Sequence, residues 1–193
     1  MKDLSNRRSI RLKEYDYSHP GAYFVTICTR DRECLFGDVV GGQVVLSAAG
    51  EIAKSVWVGL PNRFPLVALD EYVMMPNHVH GIILVGAQFI APDPEDGMEN
   101  CSYTLGDIIR TYKATVTRLV RLRNNSVIGR DVMKAGVMNH APTGAARFGW
   151  QRNYYEHVIR NDDDLQHTRE YIAGNSARWD EDENNPALLK PCR

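Results

Sequence analysis

Apolar and polar positions along this chain follow two periods, and the switches between them mark its elements. Tyr23-Phe24-Val25-Thr26-Ile27-Cys28-Thr29 is an unbroken run of aromatic and β-branched residues, which predicts a buried strand. Ser47 heads a helical pattern running to about Leu60, with Glu51 near its start and Pro61 closing it. Leu66 to Met75 predicts a second strand, and Pro76-Asn77 turns the chain back into a third, His78 to Val85. Pro92 to Asn100 is a polar loop. Thr104 then caps a helix to about Arg123; stepping about 100° per residue, Ile108, Tyr112, Val116, Leu119 and Leu122 share one face. Arg110, Lys113, Arg118 and Arg121 take the opposite face. Residues 124–149 lack periodicity and read as a long mobile insertion. Trp150 to Ile159 predicts a fourth strand, and Asp162-Asp163-Asp164 opens a last helix with its acids at the positive end of the dipole. After Trp179, residues 180–193 read as a poorly ordered acidic tail.

Strand, helix, two strands, helix, strand, helix predicts an α+β fold: a ferredoxin-like antiparallel sheet with the helices packed on one face. The 193 residues fit one domain, 1–193, with a core of about 20–179. A chain of this length buries roughly 70% of its unfolded surface, so it needs no staples to fold. Accordingly the four cysteines, Cys28, Cys34, Cys101 and Cys192, form no Cys-x-x-Cys pair and suggest neither a zinc finger nor a disulfide framework. The polar start is unlike a signal peptide, and no apolar run approaches the ~20 residues of a membrane span, so a soluble cytoplasmic protein is expected. The net charge is −1, which by itself does not point to nucleic acid. Its distribution does more, because Arg7, Arg8, Arg11 and Lys13 cluster near the start and the helix after Thr104 carries a basic face.

The candidate chemistry begins at Asn77-His78-Val79-His80. On a strand, residues i and i+2 face the same way, so His78 and His80 aim both imidazoles at one point while Val79 faces a core. Neutral imidazole is the commonest side-chain metal ligand, and the pair reads as half of a metal site. The last helix offers Tyr171 and Asn175, four residues apart and therefore side by side, a phenol beside an amide oxygen. Tyr112 is a rival nucleophile, although it sits in the apolar stripe. His157 is an alternative third ligand; His19, His140 and His167 have no partner at useful spacing.

Three blocks, Met75-Pro76-Asn77-His78-Val79-His80-Gly81, Trp150 to His157, and Arg169-Glu170-Tyr171-Ile172 with Asn175, resemble the single-tyrosine HUH transposases. The likeness is greatest to the REP-associated tyrosine transposases, and the stretches at Arg7 to Leu12 and Gly21 to Thr26 extend it over nearly the whole chain. The resemblance implies that His78, His80 and Asn175 hold a divalent metal, Mg²⁺ or Mn²⁺. It implies that Tyr171 attacks a phosphodiester of single-stranded or hairpin DNA, leaving a 5′-phosphotyrosine and a free 3′-hydroxyl. The chain departs from that pattern in carrying Ser176 where a proline commonly follows the asparagine. DNA contact would fall to Arg110, Lys113, Arg118 and Arg121, with the Arg7 to Lys13 arm, and base stacking to Tyr15, Tyr17, Trp150 or Tyr154. A monomer and a homodimer are both compatible with the resemblance. Two other classes compete: a catalytically silent nucleic-acid-binding module, and a metal hydrolase of small phosphate esters.

Overall fold

Strands form where the chain is most continuously apolar. The computed structural model describes residues 20–86, 103–135 and 148–188. In chain order its elements are β1 (Gly21–Cys28), β2 (Gly37–Val40), β3 (Gln43–Leu46), α1 (Ala48–Val58), α2 (Leu60–Arg63), β4 (Val67–Met74), β5 (His78–Val85), α3 (Leu105–Ala135), β6 (Tyr155–Ile159) and α4 (Asp162–Ala173). Short 3-10 turns occupy Arg30–Arg32, Ser176–Glu181 and Pro186–Leu188. The main sheet is antiparallel in the order β4-β5-β1-β6, with β1 and β5 in register from Gly21 opposite Val85 to Cys28 opposite His78. Since β5 lies between β1 and β4, α1 makes a split crossover, as the ferredoxin-like expectation requires.

The two faces of this sheet differ in thickness. Tyr23, Val25 and Ile27 of β1 and Val79, Ile83 and Val85 of β5 pack with Trp57 of α1 and Ile108, Tyr112 and Val116 of α3. The opposite face is thinner: Ala22, Phe24 and Ile82 meet Leu165 and Ile172 of α4. The helices therefore cover both faces, where one was expected. The physical reason is that neither face of β1 or β5 is given over to charged residues, and both strands are buried at nearly every position.

Gly81 follows the histidine pair because nothing larger fits. A Cβ there would stand 2.3 Å from Cζ2 of Trp57, an indole that is itself fully buried. Gly81→Ala is expected to destabilise the protein by about 1–3 kcal/mol, the usual range for overpacking, read as a lower denaturation midpoint. An unchanged midpoint would mean that the indole can give way.

Local chemistry explains most element ends. Ser47 Oγ accepts from Gly50 N at 3.1 Å, capping α1 as expected. The helix stops at Val58, however, and Pro61 lies in the first turn of α2 rather than closing α1. At the head of α3, Thr104 and Asp107 cap each other: Asp107 N donates to Thr104 Oγ1 at 3.3 Å and Thr104 N to Asp107 Oδ2 at 2.9 Å. This helix runs on to Ala135 instead of ending near Arg123, so residues 124–135 of the expected insertion are helical. Leu122 is 57% exposed and leaves the predicted stripe, which Ile109 and Val120 join instead. The fourth strand starts at Tyr155, with Trp150 only in an isolated bridge to Thr29. The β2–β3 hairpin was not expected; it turns at Gly41-Gly42 with φ of +59° and +76°, the left-handed pair that a two-residue loop demands. Nor is the part of the acidic tail from 180 to 188 loose, since Asn184 and Asn185 are buried. The arm at residues 7–13, Tyr15 and Tyr17, the loop at 92–100 and residues 136–147 lie outside the described residues. Among the described residues no helix is long and apolar enough to cross a membrane.

Candidate metal centre and nucleophile

The turn at Pro76-Asn77 starts β5 at His78, so the alternation of the strand sends His78 and His80 to the thinner face. Both are buried, and their Nε2 atoms stand 2.9 Å apart. Thr26 lies directly across β1 from His80, and its Oγ1 is 2.8 Å from His80 Nδ1. His78 Nδ1 is 2.8 Å from Asn77 Oδ1. The Asn77 amide nitrogen already donates to Arg32 O at 2.9 Å and Asn184 O at 2.7 Å, which settles that its oxygen faces the imidazole. An amide oxygen only accepts, so His78 donates from Nδ1 and its Nε2 keeps a lone pair directed into the site. Burial, aided by the Arg32 charge, holds His78 down to about 3; burial and His78 do the same to His80, to about 3. Both imidazoles are neutral at pH 7, the form that binds a metal.

Tyr171 and Asn175 come to this pair from α4 and its end. Asn161 caps α4 by accepting from Asp164 N, and a bidentate ion pair fixes the helix to the sheet: Arg169 Nε to Asp70 Oδ1 at 2.9 Å and Nη2 to Oδ2 at 2.5 Å. Asp70 falls where the β4–β5 register shifts, between Leu69 and Tyr72, an irregularity of the kind that re-aims a strand residue. Two residues after Arg169, the Tyr171 hydroxyl lies 3.4 Å from His80 Nε2. Phe24 stacks on His80 and meets the Tyr171 ring edge-on, with centroids 5.4 and 5.9 Å away. Tyr171 remains 42% exposed, so its phenol faces an open cleft. Burial and the Asp182 charge raise its pKa against a hydrogen bond from Asn175, and the phenol is protonated at neutral pH. Asn175 is 4% exposed and its Oδ1 has no hydrogen-bond partner, a buried acceptor left over for something else.

A residue missed by sequence reasoning completes the cluster. Asp182 joins His78 and His80 in a group whose ligand atoms all lie within 4.8 Å of one another. Its Oδ2 is 3.7 Å from His78 Nε2. The two alternatives fare differently. His157 is exposed and its Nε2 is held by the Asp164 carboxylate at 2.9 Å, which engages it away from the pair. Tyr112 is fully buried between Trp57 and Trp150, and burial alone drives its pKa far upward, so it is a core residue. His167 is exposed.

The basic face of α3 lines a groove of about 810 Å³, shared by Arg110, Lys113, Arg118, Arg121, Arg152 and Tyr154. Lys113 serves it differently from the arginines. Its Nζ donates to Gln151 O at 2.9 Å and Asn153 O at 3.0 Å and sits 5.8 Å from the Tyr154 ring centroid. Burial lowers its pKa to about 8. Lys113 is thus a strut that holds residues 151–153, and Arg152, unforeseen from the sequence, lines the groove with the arginines. A second cleft of about 410 Å³ runs along Phe24, Thr26, His80, Asn153, Tyr154 and Tyr171. Tyr154 lines both, so the 151–154 segment is their common wall.

No protein-family model matches the chain. An uncharacterized protein of Haemophilus influenzae is 38% identical over 191 residues, spanning 93% of each chain. The solved structure of a REP-associated tyrosine transposase bound to a REP hairpin is similar with a TM-score of 0.50 and 18% identity, over 89% of this chain and 74% of that one. The two proteins share their fold, an antiparallel sheet with helices packed on it.

Proposed function

This chain belongs to one family with the Haemophilus influenzae protein, and from its transposase-like fold and its site we propose that it is a metal-dependent single-stranded DNA endonuclease and strand transferase acting on hairpin DNA. The observation that carries this reading is the phenol of Tyr171, 3.4 Å from one Nε2 of a histidine pair whose two Nε2 atoms are 2.9 Å apart, in an open cleft. A nucleophile beside convergent neutral imidazoles is the arrangement that phosphodiester transfer to a side chain needs.

His78, His80 and the orphaned Oδ1 of Asn175 would hold a divalent ion, and two nitrogens with a neutral oxygen suit Mn²⁺ or Mg²⁺. Such an ion supplies positive charge to a phosphate oxygen. Asn77 and Thr26 orient the imidazoles, and Asn175 hydrogen-bonds the phenol. The Tyr171 oxygen forms a bond to phosphorus as the P–O3′ bond breaks. The leaving strand takes up a proton as its 3′-hydroxyl, the phenol loses one, and the 5′-phosphate stays on Tyr171. Attack by another 3′-hydroxyl reverses these steps and restores a phosphodiester without an external energy source. Arg110, Arg118, Arg121 and Arg152 hold the backbone along their groove, and Tyr154 offers a ring face where the two grooves meet.

The test is incubation of end-labelled hairpin DNA from palindromic repeats with the protein and Mn²⁺ or Mg²⁺, read on a denaturing gel. A metal-dependent, denaturation-resistant protein–DNA adduct is expected. Tight binding with no adduct would make the protein a silent binding module, and turnover of small phosphate esters without an adduct would make it a hydrolase. The groove also predicts salt behaviour: Arg118→Ala should weaken binding of all sequences alike and reduce the log–log salt slope by about 0.7–0.9, one phosphate contact. A slope that stays unchanged would remove Arg118 from the interface.

A further inference from the structure

Asp182 stands out among the acids of its segment. Asp180, Glu181 and Glu183 are exposed, whereas the Asp182 side chain is 4% exposed. Its own turn positions it: Asn184 N donates to Asp182 Oδ1 at 2.6 Å, and Asn185 N donates to Asp182 O at 2.9 Å. Oδ2 is directed at His78 Nε2, 3.7 Å away, too far for a hydrogen bond. That nitrogen carries a lone pair, because Nδ1 of the same ring donates to Asn77. A buried carboxylate oxygen thus faces an imidazole lone pair, with a second imidazole nitrogen 2.9 Å from the first. One carboxylate oxygen and two imidazole nitrogens therefore converge within 4.8 Å of one another, and a cation between them would be held by all three. On a six-coordinate ion with bonds of about 2.1 Å, neighbouring ligands stand about 3 Å apart, close to the separation of the two histidine nitrogens.

The segment that carries Asp182 is docked on the same turn that orients His78. Asn77 donates to Asn184 O at 2.7 Å, Arg32 donates to Glu183 O, and Cys28 Sγ donates to Asn184 Oδ1 at 3.7 Å. Trp179 lies over His78 with ring centroids 6.1 Å apart. We propose that Asp182 is an anionic ligand of the metal centre, so that metal occupancy and the docking of residues 176–188 are one coupled equilibrium. The inference rests on the reading of His78 and His80 as a metal centre. It adds an anionic ligand to the neutral donors implied by the resemblance and lowers the net charge of the loaded centre from +2 to +1.

The experiment titrates Mn²⁺ into wild type, Asp182→Asn and Asp182→Glu by calorimetry, alongside proteolysis at Arg178, Glu181 and Glu183 with and without Mn²⁺. In wild type, Mn²⁺ should slow cleavage of the segment and raise the thermal midpoint. Asp182→Asn should bind Mn²⁺ at least about tenfold more weakly and lose most of that protection, while Asp182→Glu recovers part of both. The metal-free midpoint of Asp182→Asn should equal or exceed that of wild type, because a buried charge is gone; this separates lost ligation from misfolding. Equal Mn²⁺ affinity and equal protection in Asp182→Asn would overturn the inference, and the strand-transfer reading would survive if wild type still forms its adduct. Asp182-dependent Mn²⁺ binding with no adduct on any hairpin would leave the inference standing and remove strand transfer. No Mn²⁺ binding by wild type would overturn both.

Discussion

Tyr171→Phe should abolish the covalent DNA adduct, by about a thousandfold or more, while leaving hairpin binding and folding nearly intact. The substitution removes one oxygen, and that oxygen is the atom proposed to bond to phosphorus; loss of a nucleophile is among the largest single effects in enzymes. The ring keeps its edge contact with Phe24 and its place 5.3 Å from the His80 ring centroid. At a position this exposed, stability should change by less than about 1 kcal/mol. Tyr112→Phe is the matched control, since its hydroxyl is buried without a hydrogen-bond partner. Removing an unsatisfied buried hydroxyl is neutral to stabilising by about 1 kcal/mol, so this variant should form adduct at the wild-type rate. Labelled hairpin DNA on a denaturing gel, with thermal midpoints for each variant, checks both. An adduct that survives Tyr171→Phe would move the nucleophile elsewhere.

His80→Ala should be nearly as severe for chemistry and should separate chemistry from binding. Its Nε2 faces both His78 and the Tyr171 hydroxyl, so the substitution removes a proposed ligand and the neighbour of the nucleophile together. Adduct formation should fall at least about a hundredfold at saturating Mn²⁺, in keeping with the loss of a metal-held charge that develops its effect in the transition state. Hairpin affinity should stay within about threefold, because the arginine groove lines α3 and does not include His80. Gel-shift affinity beside adduct yield measures both quantities. Parallel loss of binding would mean that the histidines touch DNA directly.

What the sequence made legible was whatever depends on near neighbours. The start of β5 at His78 and the convergence of His78 and His80 follow from a turn and a strand period, and both are present. Tyr171 and Asn175 meet because four residues make about one helical turn, and Asn175 keeps helical angles just past the end of α4. Asp182 was hidden because its place depends on how the chain turns back after Gly174, and its neighbours read as a solvated acidic run. Lys113 shares a helix face with three arginines, yet two carbonyls from residues nearly forty positions later decide that it braces a loop. The covering of both sheet faces is legible in Tyr23-Phe24-Val25 and Ile82-Ile83-Leu84-Val85, runs that leave neither face of β1 or β5 polar. Gly41-Gly42, between Val39-Val40 and Gln43-Val44-Val45, is a hairpin signal present in the sequence itself.

The order of the elements along the chain also sets when the parts of the site are translated. β1, β4 and β5, with α1 and α3 behind them, all precede Tyr171, Asn175 and Asp182 along the chain. The histidine pair is therefore translated before the phenol. A nascent chain halted at that stage carries the imidazoles without the proposed nucleophile. Cleaving competence would arrive only when α4 settles on the thinner face and Arg169 finds Asp70. Under the proposed strand transfer, such an order keeps the nucleophile apart from the histidines until the fold has closed.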